Sequence, residues 1–155
     1  MSIKLLKKEG GFTLLELLIV IVIIGILALL IIPNITSAPK KSRDTKRKTD
    51  LTTVRKGLEE YFVNNNAYPS TGGTSTFQNI STALSALTTG SAPIIKTMPS
   101  DPKNASPYTY QYASDGTTYK LDACLENDQD NGQSVTPDSN CGGSSGKKFE
   151  LVNGN

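Results

Sequence analysis

Residues 17–32 read Leu17-Leu18-Ile19-Val20-Ile21-Val22-Ile23-Ile24-Gly25-Ile26-Leu27-Ala28-Leu29-Leu30-Ile31-Ile32, sixteen positions without a polar side chain. Counted from Phe12 the stretch is 21 residues, and only Thr13 and Glu16 bring polar side chains into it. As an α-helix it measures roughly 31 Å, close to the roughly 30 Å hydrocarbon core of a bilayer. A buried core helix is the competing reading, but it needs an apolar shell. Apolar residues make up 37% of the chain, and 18 of them fall within these 21 positions. The lean remainder cannot surround such a helix, so the run is read as membrane-inserted. A removable secretory signal has a shorter apolar region, about 7–15 residues. Pro39, just after Thr36-Ser37-Ala38, also occupies the far side of the bond that would be cut. Lipid attachment to an N-terminal cysteine is excluded, because the two cysteines are Cys124 and Cys141.

Outside the run the material allows only a small core, which needs a long helix, a disulfide or a partner. Histidine is absent, excluding a Ser-His-Asp triad, a Cys-His pair and His-ligated zinc. A net charge of +2 is too small to argue for nucleic acid. There is no Gly-rich phosphate loop, and no catalytic constellation.

Two features do not suit a plain anchor. Glu16 places a carboxylate among leucines near one end of the run, and a charge at membrane depth normally marks function. A basic leader, with Lys4, Lys7 and Lys8, ends in Gly10-Gly11 just where the apolar residues begin. The segment Lys7-Lys8-Glu9-Gly10-Gly11-Phe12-Thr13-Leu14-Leu15-Glu16 resembles the prepilin signature of type IV pilins and type II secretion pseudopilins. The resemblance implies cleavage between Gly11 and Phe12 by a prepilin peptidase, and N-methylation of Phe12. It makes Glu16 the fifth mature residue, where the family carries its assembly glutamate. Gly25 and Pro33 fall where pilins have helix-softening residues.

Charge counting opposes the topology that this resemblance implies. The leader has three lysines, whereas Lys40, Lys41, Arg43, Lys46, Arg47 and Lys48 flank the other end. The positive-inside rule alone would put that flank in the cytoplasm. The processing signature requires the leader there instead, and it takes precedence. The basic run reads as a solvated helix face, or as a contact for anionic headgroups or acidic loops of neighbouring subunits.

Pro33 lacks an N–H, and Pro39 repeats the disturbance. Beyond them Leu51, Val54, Leu58 and Tyr61/Phe62 recur at steps of three and four, an amphipathic helix face. Helix is predicted over 13–64, interrupted or bent near 33–39, with Asn64-Asn65-Asn66 ending it. Phe77, Ile80, Leu84 and Leu87 predict one short helix ended by Gly90. Tyr108, Tyr110 and Tyr112 alternate as a strand, Ser114-Asp115-Gly116 is a turn, and Tyr119, Leu121, Ala123 and Leu125 return. Residues 148–152 supply a third strand. The expected fold class is α+β: a long N-terminal helix packed on a small antiparallel sheet, the pilin-like fold. The expected divisions are a cleaved leader 1–11, a membrane and filament-core helix 12–33, its amphipathic continuation 34–64, and a globular part 65–155. The approach Pro99-Ser100-Asp101-Pro102 to Tyr108-Thr109-Tyr110 resembles the globular half of the type II secretion major pseudopilin, with Lys103-Asn104 where that group has tryptophan-glycine.

Cys124 and Cys141 are 17 apart and suit one bridge in an exported chain, worth roughly 3 kcal/mol in the chain-entropy model. Asp122, Glu126, Asp128 and Asp130 crowd the same region. Asp128-Gln129-Asp130-Asn131-Gly132 supplies some of the oxygen ligands that calcium wants, so Asp128 and Asp130 are the calcium candidates, a reading the resemblance supports; a solvated acidic loop is the preferred reading. No cofactor is required.

The expected function is structural: a filament subunit that polymerises with copies of itself through its N-terminal helix. The resemblance implies a platform membrane protein and an assembly ATPase as partners, with lipid around the helix before assembly. Nucleic acid becomes a partner only if the filament is a DNA-uptake pilus. The subunit is expected in the cytoplasmic membrane, leader inside and globular part outside, then in a periplasmic or extracellular filament. The alternative is a monomeric anchored binding module outside the cell, for which Glu16 has no use.

Overall fold

A stripe at Leu51, Val54 and Leu58 faces one side only if the chain is helical there. In the computed structural model, which describes residues 10–143 and 145–153 apart from the side chains of 30–36, helix α1 spans Leu14–Asn65. The chain divides into two compact units, Met1–Ala38 and Pro39–Asn155. The helical assignment passes Pro33 and Pro39 without the predicted interruption. Each proline removes one hydrogen bond, and the helical turns on either side continue past it.

In the first unit, every large apolar side chain from Phe12 to Leu29 with a described position is between 47% and 87% exposed. Among the described residues no helix is long and apolar enough to cross a membrane. The described apolar side chains stop at Leu29, three residues before the sequence run ends at Ile32. At Gly25 an added Cβ would meet open space. The side chain of Pro33 lies outside the described residues.

In the second unit, α1 packs Leu51, Val54 and Leu58, all fully buried, against a five-stranded antiparallel sheet. Its strands are β1 (Gly73–Asn79), β2 (Gln111–Ser114), β3 (Tyr119–Leu125), β4 (Val135–Pro137) and β5 (Lys147–Val152), in the order β1-β2-β3-β5-β4. The β2–β3 hairpin pairs Tyr112 with Leu121 and Ser114 with Tyr119. Its turn is held by the Asp115 carboxylate, which accepts from the N–H groups of Thr117 and Thr118 at 2.9 and 2.7 Å. Gly116 adopts φ +95° there, a conformation glycine takes without penalty. Tyr110, Tyr112 and Tyr119 are buried, and each hydroxyl finds an acceptor: Asp50, the Pro69 carbonyl and Glu59 respectively. Burial raises all three phenols, Tyr112 to about 12.

The segment before β2 departs from the predicted helix. Residues 73–79 form an edge strand, leaving Phe77 exposed. Helix α2 covers only Ile80–Ala83, followed by a 3-10 turn at Ser85–Leu87. Ile80, Leu84 and Leu87 are buried under α1, while Phe77 is not part of their face. Tyr108 lies outside β2, in an isolated bridge with Ala105. Strand β4 is additional to the sequence reading.

Candidate functional site

Two regions gather polar chemistry, one in each unit. The first is the start of α1. Gly10 and Gly11 are exposed and non-helical, and a Cβ on either would meet nothing within 4 Å. Phe12 is 87% exposed. Helix α1 begins at Leu14, so Thr13 is the cap and Glu16 the third helical residue. The Glu16 carboxylate accepts from the Thr13 N–H and from the Thr13 hydroxyl, both at 2.9 Å. In return the Glu16 N–H donates to the Thr13 hydroxyl at 3.2 Å. This reciprocal arrangement is a capping box, in which threonine and glutamate three apart satisfy two orphan donors of a helix start. The spacing Thr13-Leu14-Leu15-Glu16 carried that signal, and the sequence reading missed it by treating Glu16 only as a charge.

The second region lies where α1 meets the loop after β3. Its centre is Arg47, with Asp44 one turn earlier on the same face as Leu51. Arg47 is 0% exposed and Asp44 2%. The Arg47 guanidinium donates to both carboxylate oxygens of Asp101, at 2.6 and 2.9 Å. It also donates to Asp44 at 2.7 Å and to Glu126 at 2.8 Å. Glu126 is forked by Arg43 through two bonds of 2.7 Å and reached by Lys103 at 2.9 Å. Asp44 accepts from the N–H groups of Glu126 and Asn127, both at 2.9 Å. Tyr108 lies under the Arg47 and Lys103 cations, 4.8 and 4.4 Å from its ring centre. Burial disfavours the Arg47 charge, but the bonds from Asp101, Glu126 and Asp44 outweigh it and hold the guanidinium charged. The bonds from Arg43, Lys103 and Arg47 hold the Glu126 carboxyl well below its ordinary range.

The basic run is therefore only partly a solvated face. Arg43, Lys46, Arg47 and Lys48 bind acids of their own chain, Lys46 at the surface through Asp50 at 3.0 Å, whereas Lys40 and Lys41 are exposed. Four of the six flanking cations that opposed the topology have an acidic partner inside the folded unit.

The acidic crowd divides in the same way. Glu126 belongs to the arginine centre. Asp130 accepts from Lys48 at 2.6 Å. Asp122 meets Lys148 at 3.2 Å, and burial pushes its carboxyl up to about 6. Asp128 is exposed. Among the described residues no three acids or other ligands converge on a point suited to a metal ion. Calcium needs six or more oxygens around one centre, and here a lysine already occupies the Asp130 carboxylate. The residues present do not fit the calcium site that the resemblance implied. Cys124 and Cys141 are joined, with Cα atoms 5.0 Å apart, closing the base of this loop.

A long helix with an exposed apolar start, packed through its later turns on a small antiparallel sheet, defines the pilin-like class of α+β protein. Residues 6–32 match the family model of the prokaryotic N-terminal methylation motif, and residues 34–139 match that of type II secretion system protein G. Core protein G of the type II secretion system from Aeromonas hydrophila is 36% identical over 123 residues, 75% of this chain and 80% of that protein. The Vibrio cholerae protein of the same description is 34% identical over 126 residues, 77% and 80% of the two chains. The Pseudomonas aeruginosa protein is 42% identical over 65 residues, and that match spans 46% of its length. No solved structure matches. The chain belongs to the type II secretion system protein G family, the pseudopilins, subunits of a secretion filament. Membership does not favour the monomeric binding module.

Proposed function

We propose that the chain is the precursor of a pseudopilus subunit, cut between Gly11 and Phe12 and N-methylated on Phe12. The exposed apolar start of α1, bearing one carboxylate in its first turn, carries this reading. Such a surface needs lipid before assembly and other copies of the same helix afterwards. The segment 12–33 spans the cytoplasmic membrane, with the leader inside and the globular unit outside. Exchanging lipid for protein around the helix brings little hydrophobic gain, so a platform protein and an ATPase supply the work. The peptidase reaches the scissile bond because Gly10 and Gly11 are exposed and lie before the first helical turn.

Glu16 steers assembly. In the precursor its carboxylate is satisfied by Thr13. Cleavage creates an ammonium at Phe12, and the Phe12 ammonium of an adjacent subunit is a stronger partner for a carboxylate held in apolar surroundings. The subunit's role is structural and uses no catalytic residue. Mass spectrometry of the membrane or filament fraction tests the processing: the mature chain begins at N-methylated Phe12. A mature start at Met1 or near Pro39 would contradict it.

A further inference from the structure

The loop from Glu126 to Ser134 is attached to α1 at two levels. At the lower level, Asp44 accepts from the Glu126 and Asn127 N–H groups. One helical turn along α1, Lys48 donates to the Asp130 carboxylate. Asp130 uses its other oxygen to accept from the Gly132 N–H at 2.9 Å. Lys48, Asp130 and Gly132 fit closely: a Cβ on Gly132 would lie 3.1 Å from Asp130 Oδ1 and 3.4 Å from Lys48 Nζ. The Lys48 ammonium also lies 5.7 Å from the Phe149 ring centre on β5. Its side chain is 29% exposed and that of Asp130 18%, so water screens the pair only in part.

We infer that Lys48 acts as a tethered cation, fastening the loop 126–134 to α1 and to β5 in place of a bound metal ion. The acids around this loop are drawn apart, Glu126 to Arg43 and Arg47, Asp130 to Lys48, and Asp122 to Lys148, while Asp128 is exposed. A lysine four residues after Asp44 needs no ion from solution and cannot be removed by a chelator. The loop is thus held by a helix-borne charge and closed by the Cys124–Cys141 bridge. The inference concerns the globular unit, and does not depend on how the chain is processed or assembled.

Hydrogen–deuterium exchange on the full-length chain in detergent micelles tests it. In the unsubstituted protein, exchange at 127–132 is the same with calcium chloride as with a calcium chelator. Lys48→Met speeds exchange at 128–132 about tenfold, the scale of one charge-assisted hydrogen bond, and Lys48→Arg restores most of the protection. Asp130→Asn combined with Lys48→Met is no faster than Lys48→Met alone, because the two act through one bond. Exchange at Leu51–Leu58 reports that the fold is intact. Slower loop exchange in calcium, or unchanged exchange in Lys48→Met, would overturn the inference.

Discussion

From Leu14 to Leu29 every large apolar side chain of α1 is at least 47% exposed, whereas Leu51, Val54 and Leu58 on the same element are fully covered. The first stretch is apolar on all sides and carries one acid, which within the subunit caps the helix start through Thr13. The second has a divided surface: an apolar stripe, extended toward its start by Asp44 and Arg47. A helix with a stripe is completed by its own sheet. A helix without a polar side must find its surroundings elsewhere, in lipid or in further copies. The contrast separates what folds the subunit from what assembles it. Substitutions after Pro39 should change stability, and those near Phe12 should change polymerisation.

Arg47→Ala gives the largest effect on the folding side. It leaves Asp44, Asp101 and Glu126 without their common cation, and losing one partner of a buried charge group costs about 3–5 kcal/mol. Thermal or denaturant unfolding of the full chain in micelles measures this, and the membrane pool of the variant falls with it. A loss within 0.5 kcal/mol would mean that the arginine centre does not anchor the helix.

Next in size is Cys141→Ser. Opening the 17-residue link costs about 3 kcal/mol in the chain-entropy model. Limited proteolysis shows the cuts falling between 125 and 147, with α1 intact. In the unsubstituted protein, alkylation without reduction labels neither cysteine.

A smaller effect separates two acids by pH. Glu126 has its folded pKa held below its ordinary value near 4.5, so the unfolded chain binds the extra proton as pH falls. Its contribution to stability is present above pH 4.5 and is lost progressively below. Asp122 is shifted the other way, from 3.8 to about 6. Its contribution is present below 3.8 and is lost as pH rises through 6. The melting temperature therefore declines on acidification below pH 4.5, and Glu126→Gln flattens that decline while lowering stability at neutral pH.

The parts that were legible in the sequence share a short-range pattern. Leu51, Val54 and Leu58 repeat at helical spacing, and Tyr119, Leu121, Ala123 and Leu125 alternate, so their burial could be read directly. Strand β1 could not, because Gly73–Asn79 is mostly exposed and its pairing with β2 shifts register between Gly73 and Gln78. Hydrogen bonding to β2, and no hydrophobic period, makes it a strand. Strand β4 is three residues on the other edge. Asp44 and Arg47 continue the buried stripe, but as charges they read as the polar face. Their partners Asp101 and Glu126 are 54 or more residues away, beyond any local pattern. The acidic crowd read as one loop because its cations come from residues 43–48, 103 and 148. The apolar run and the Gly11-Phe12…Glu16 spacing were legible outright, since they depend on the chain alone.

The assembling half is tested most directly by Glu16→Gln. Glutamine keeps the capping-box geometry with Thr13 and removes only the charge, whereas Glu16→Ala removes both. Filament yield is measured against the membrane pool of subunit, by immunoblot and electron microscopy. The account predicts normal insertion, cleavage and membrane abundance for Glu16→Gln, with filaments reduced at least about tenfold, since an apolar interface then holds an unpaired ammonium. Wild-type filament yield from Glu16→Gln at an equal membrane pool would show that the carboxylate serves only its own helix, contradicting the proposed role of Glu16 in joining subunits.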